Sequence, residues 1–248
     1  MNKQTVRLIV VAAAGLVIVA GLFRMRLFSS HTSAVKAPVI TEQTTPKDID
    51  PCELVPLDIR LPKPMFTSGG YSFRVPNLER PLGKPRPPFM APVGTRNVAL
   101  GKPVSSSSDP IIGALAMITD GDKEAGSHSY VELPPSALIT IDLEAEHRVY
   151  AVVIWHYCQQ LRVYFDVVVQ VADDPDFVTN VRTLFNNDID NSASLGVGKD
   201  MHYVETTEGK LIDAKGIKAR YVRLHSNGST NDDLNHYIEV EVYGRLVE

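Results

Sequence analysis

LITIDLEAE at residues 138–146 and YAVVIW at residues 150–155 decide the fold. In the first stretch Ile139, Ile141 and Leu143 alternate with Thr140, Asp142 and Glu144. Successive side chains of a strand point to opposite faces, so this spacing predicts a strand with one buried face. The second stretch, continued to Tyr157, is apolar at both parities, which predicts a strand covered on both faces. Outward from these, Val163, Phe165, Val167, Val169 and Val171 form one face of an expected long strand ending at Asp173–Asp174–Pro175. Tyr221–His225 and Tyr237–Tyr243 supply two more, with Ile238, Val240 and Val242 giving the last its inward face. Beyond a turn or two near Ile112–Ile118 no amphipathic helix is expected. Short strands with long polar loops predict an all-β sandwich or jelly roll.

The rest of the chain has a different character. Leu8 to Phe23 is an apolar run of 16 residues, flanked by Lys3 and Arg7 before it and Arg24 and Arg26 after it. Its length is near the lower limit for a membrane-spanning helix and also fits the core of a signal peptide. The arginines directly after the run favour an uncleaved anchor over a removed peptide, and either predicts an exported chain. Residues 29–96 hold 12 of the 17 prolines without helical or strand periodicity, which predicts an extended spacer. Its later part is basic (Arg60, Lys63, Arg74, Arg80, Lys84, Arg86), suited to an anionic surface, to the acidic module that follows, or to plain solvation.

Charge divides at the same boundary. Residues 1–96 carry 13 basic and 6 acidic side chains, whereas residues 97–248 carry 12 and 23. An acidic module repels phosphates, so nucleic acid is an unsuitable partner, while its carboxylates suit a hard cation. The two cysteines, Cys52 and Cys158, either bridge, pinning the spacer to the module, or remain separate thiols. There is no GxSxG, HExxH or CxxC, and the acid pair Glu239 and Glu241 is explained by strand alternation, so a binding module is expected and not an enzyme.

Seven segments suggest a family. NVALGKPVSSSSD (97–109), ALAMITDGD (114–122), LITIDLEAE (138–146), YAVVIW (150–155), VVVQVADDPDF (167–177), RYVRLHS (220–226) and YIEVEVYG (237–244) follow in the order of the discoidin, or coagulation-factor C-type, domain. The chain from 97 to 248 resembles that family. It lacks the cysteine pair joining the ends of animal members, and Phe185–Gly209 is longer and richer in Asn, Asp and Gly. With WHY (155–157) and NHYIEVEVYG (235–244), it is similar to a variant of bacterial surface proteins. The resemblance implies a galactose-binding-domain-like jelly roll at 97–248; the apolar run and the prolines place before it an N-terminal membrane helix, as a signal anchor or signal peptide (1–28), and a proline-rich extended linker (29–96).

The sharpest candidate site is Asp120–Gly121–Asp122, two carboxylates around a glycine that lets a loop wrap a hard cation. The resemblance implies a structural calcium there, held by Asp120 and Asp122, by Ser127, and by Glu239 at the start of the last strand. It also implies ligand-binding loops at one end of the sandwich. His156, Tyr157, Arg162, Asn231, His236 and Tyr237 supply the planar donors and aromatic faces that a sugar needs. The loop Asn186–Ser192 fails as a second calcium loop started at Asp188, because Lys199 stands at the twelfth position and Ala193 replaces the central glycine. A self-hydrogen-bonded loop is expected instead. The expected function is a non-catalytic module at the cell surface or in the periplasm that recognises carbohydrate. The alternative is an adhesion or scaffold module gripping an envelope protein.

Overall fold

The computed structural model describes residues 53–64, 73–124 and 129–247. Along the chain lie β1 (Leu54–Pro56), β2 (Met90–Pro92), β3 (Arg96–Asn97), β4 (Val104–Ser106), a single 3-10 turn at Leu115–Thr119, β5 (Val131–Leu133), β6 (Leu138–His156), β7 (Val168–Ala172), β8 (Arg182–Asn186), β9 (Lys210–His225) and β10 (Asn235–Leu246). The main sheet runs β3-β10-β6-β9-β7-β8, with β4 added on β6 and β5 on β10, and β1 pairs with β2 separately. Every strand pair is antiparallel.

The stretches 138–146 and 150–155 are one strand. β6 runs without interruption through both, and its register against β9 slips between Asp142↔Tyr221 and His147↔Ala219. At that slip Glu144 takes a φ of 64°, and at a second slip, between Val149↔Ile217 and Ala151↔Asp213, Lys215 and Gly216 of β9 take 55° and 73°. Asp142 Oδ1 accepts the Glu144 N–H at 2.7 Å, and Asp213 Oδ1 accepts that of Lys215 at 2.9 Å, so short carboxylates stabilise the left-handed residues of the bend. Beyond it the strands continue in a second layer. The first half of β6 pairs with β4 and the end of β9, which carries β7 and β8, while the second half pairs with β10. Ile139, Ile141 and Leu143 of one layer join Val152, Ile154, Val240 and Val242 of the other in a single buried core.

The second half of β6 is covered on its outer side too. Ala151, Val153 and Trp155 form a separate buried cluster with Ile238 and Tyr243, and Leu57, Ile59 and Phe89 pack on it. These last residues belong to the expected spacer, so its described stretches are part of the fold and not an extended stalk. Leu57 N–H donates to the Phe89 carbonyl at 2.8 Å, and Glu79 N–H to that of His202 at 2.8 Å. Proline suits this strap because short strands at a sheet margin need few N–H donors. Of the spacer cations, Arg86 lies against the acidic module: its backbone N–H is 3.2 Å from both carboxylate oxygens of Glu208.

The expected strand from Val163 to Val171 is shorter. Asp166, at a φ of 51°, breaks it, and Val163 and Tyr164 make only single bridges, to Val204 and Ser229. The apolar run 8–23, Cys52 and Ser127 lie outside the described residues. Among the described residues no helix is long and apolar enough to cross a membrane. Cys158 is buried in the outer cluster, and burial pushes its thiol up to about 12, which leaves it unreactive at neutral pH.

Candidate functional site at one end of the sandwich

Where β6 ends and β10 begins, β5 pairs with the first residues of β10, setting Glu132 opposite His236. The 157–164 and 228–234 loops close around them. His236 Nε2 lies 3.2 Å from Glu132 Oε2, and its Nδ1 lies 3.4 Å from Arg162 Nη1 and 3.2 Å from Tyr164 Oη. Arginine only donates, so Nδ1 is the acceptor and Nε2 carries the proton toward Glu132. Burial holds the His236 imidazole below its usual range, against the pull of Asp232 and Glu132. Arg162 lies 3.5 Å from Asp232, donates to Gln160 Oε1 at 3.2 Å and stacks 5.0 Å over the Tyr157 ring. Asn231 donates to the same Gln160 oxygen at 3.2 Å. The half-buried rings of Tyr130 and Tyr157 meet edge-on, 5.2 Å apart.

Of the expected ligand residues, Tyr157, Arg162, Asn231 and His236 come together here, Tyr157 half-buried, Asn231 exposed, and Arg162 and His236 themselves buried at 5% and 6% exposure. His156 and Tyr237 do not face solvent. Both have 0% exposure, with His156 stacked 4.2 Å from Tyr164 and Tyr237 Oη 2.7 Å from Ser226 Oγ. They support the site from below, because their strand positions point into the core. Tyr130, Glu132, Gln160 and Asp232 complete the cluster and were not singled out in the sequence. The alternation around a three-residue β5 is too short to announce itself.

Beneath the site lies a buried ionisable pair. His156 Nδ1 is 3.4 Å from Glu205 Oε2, both side chains at 0% exposure. Burial pushes the His156 imidazole down to about 3 and the Glu205 carboxyl well above the usual range. The pair accordingly holds one proton, on Glu205, and is net neutral.

The 120–124 loop sits across the outer end of β10. Gly121 N–H donates to Glu239 Oε2 at 3.1 Å, while Glu239 Oε1 is buried without a hydrogen-bond partner. Burial raises this carboxyl to about 9. Asp120 and Asp122 are exposed and accept the N–H groups of Asp122 and Glu124 at 2.8 and 2.9 Å. Next along, Lys123 Nζ meets Glu241 Oε1 at 2.6 Å and lies 4.6 Å over the Trp155 ring. Glu239 and Glu241, read as alternating surface acids, are both buried, at 0% and 6%.

A second acidic group lies in the loop after β8. One carboxylate oxygen each of Asp166, Asp188 and Asp190 lies within 4.8 Å of the others, a grouping able to hold a metal ion. The loop also bonds to itself as expected: Asp188 accepts the N–H groups of Ser192 and Ala193 at 3.1 and 2.9 Å. Asp166, more than twenty residues upstream, joins through the Ser192 hydroxyl at 2.6 Å.

No known family and no curated protein matches the sequence. Solved structures do resemble it in fold. A family 89 glycoside hydrolase from Clostridium perfringens, solved with 2-acetamido-1,2-dideoxynojirmycin, is 16% identical with a TM-score of 0.47 over 61% of this chain. The chain spans only 15% of that hydrolase's length. Chitosan-binding module 1 of a chitosanase/glucanase from Paenibacillus sp. IK-5 is 20% identical over 60% of this chain and 99% of its own, with a TM-score of 0.42. A Streptococcus pneumoniae fucose binding module gives 21%, 62%, 98% and 0.44 for the same measures.

Proposed function

We propose that this chain is a non-catalytic carbohydrate-binding module held outside a membrane by residues 8–23. The carrying observation is the cluster at the sandwich end. Two tyrosine rings 5.2 Å apart stand beside a guanidinium, an imidazole, two amides and two carboxylates. Sugar rings present apolar C–H faces to aromatic rings and hydroxyls to planar donors and acceptors, and this set offers both. A glycan array probed with the full-length chain tests it. The expected result is binding that falls about tenfold or more in Tyr157→Ala and Asn231→Ala, both at half-buried or exposed positions. Silence across the array from a folded chain overturns the sugar reading and favours an envelope protein as partner.

The proposal includes a structural calcium at Asp120, Asp122 and Glu239, with Ser127 nearby in sequence. The partnerless buried oxygen of Glu239 supports it, because a hard cation is the partner such an oxygen lacks. Calcium would tie the 120–124 loop to β10. Thermal melting with calcium and with chelator is expected to differ by several degrees in the wild-type chain and not in Asp120→Ala. Equal wild-type melting temperatures would remove the calcium.

A further inference from the structure

The strap that precedes the module does more than cover Trp155. Between residues 79–86 and the turn 203–211 it leaves a cleft of about 510 Å³. Both walls are firmly held. Glu79 N–H donates to His202 O at 2.8 Å, and Arg86 donates its guanidinium to the Gly209 and Glu208 carbonyls at 2.9 and 3.0 Å. Gly209, at a φ of 63°, lies where an added Cβ would stand 2.7 Å from the Trp155 ring, whose Nε1 donates to Thr207 O at 3.0 Å. The turn is thus seated on the outer cluster, and the cleft is part of the folded body.

Its charge is the unusual feature. The two acids of the lining are occupied: Glu79 binds Lys210 at 2.8 Å, and the Glu208 carboxylate accepts the Arg86 N–H. Arg80 and Lys84, also in the lining, are exposed and make no ion pair or hydrogen bond among the described residues. The lining carries four cations and two anions; Arg80, Lys84 and Arg86 come from the basic stretch before residue 97 and lie against a module with 23 acidic and 12 basic side chains. Two unpaired cations on an otherwise acidic body mark a place for anionic groups. The cleft also offers the hydroxyls of Thr206 and Thr207 and the 58%-exposed Leu82.

We propose that this cleft is a second binding site that takes the carboxylates of an acidic polysaccharide, Arg80 and Lys84 each pairing with a uronate. That the polymer is a sugar rests on the carbohydrate reading of the sandwich end. A polyphosphate is the poorer occupant, since the acidic body would repel its denser charge. Hydroxyls and an apolar wall beside isolated cations fit a uronate ring, and Arg80 can hold a carboxylate in two-point fashion.

The test is calorimetric titration of the full-length chain with oligogalacturonate and with a neutral oligogalactan of equal length. The expected result is uronate binding that weakens with added salt and falls at least about tenfold in the Arg80→Ala/Lys84→Ala double variant. Both side chains are exposed, so an unchanged melting temperature accompanies the loss. Tyr157→Ala, in contrast, should leave uronate affinity within about twofold. Absent uronate binding, a double variant that binds as the wild type does, or loss of uronate binding in Tyr157→Ala each overturns the second site. Failure of the sandwich-end reading shows separately, as neutral-sugar or array binding indifferent to Tyr157→Ala.

Discussion

β6 carries two environments in one strand. In residues 138–143 the outward Thr140 and Asp142 are only half-buried, whereas in residues 151–156 every side chain is buried. The difference lies outside the strand, in what covers it. The first half has an open outer side, and the second lies under Leu57, Ile59 and Phe89 and beside the buried Lys123–Glu241 pair. A sheet face that would normally be wet has become a second core, with charged groups enclosed in it.

Removing Lys123 should break this contrast most sharply. Lys123→Ala leaves Glu241 buried with only the Tyr243 hydroxyl, at 2.8 Å, and should cost about 3–5 kcal/mol in denaturant unfolding. Lys123→Met with Glu241→Leu should recover most of that, because an apolar pair needs no desolvation. Phe89→Ala removes part of the cover and should cost about 1–3 kcal/mol. The size of that loss measures how far the strap belongs to the cooperative unit, and a chain that unfolds as before would make the strap an appendage.

His156, last residue of the covered half, adds a pH dependence. In the folded chain the His156–Glu205 pair holds one proton. Unfolded, the two groups hold two below about pH 4.5 and none above about pH 6.5, their ordinary values. Stability should be flat between these and fall on both sides, toward about 1.4 kcal/mol per pH unit. Glu205→Gln should abolish the alkaline loss and keep the acid one, as read by melting between pH 4 and 9. The smallest effect belongs to the open half. Thr140→Val loses one 3.2 Å contact from Arg223 Nε and should change stability by less than about 1 kcal/mol.

The same contrast explains what the sequence made legible. Ile139, Ile141 and Leu143 announced the core because water lies on the other face of their strand. The all-apolar run at 150–157 announced double coverage without saying by what. The covering residues sit in a proline-rich stretch whose strands, β1 and β2, are three residues each, too short to show a period. For that reason Glu239 and Glu241 read as surface acids. At the sandwich end, side chains following strand termini, such as Tyr157, Arg162 and Asn231, were legible by type. Glu132 and Asp166 reach their clusters through pairings and hydrogen bonds distant in sequence, which no local pattern encodes.

The position of β10 has a consequence in time. Among the described residues it is the last strand of the sandwich in chain order, yet it lies inside the sheet, between β3 and β6, with Val98 N–H donating to the Val242 carbonyl at 2.7 Å. A chain that emerges N-terminus first cannot close its two layers until residue 246 is free. Such long-range closure makes folding slow and keeps apolar strands exposed meanwhile. The module therefore locks only once β10 is in place, and deletion of residues 237–248 would remove the centre of the fold and not its edge.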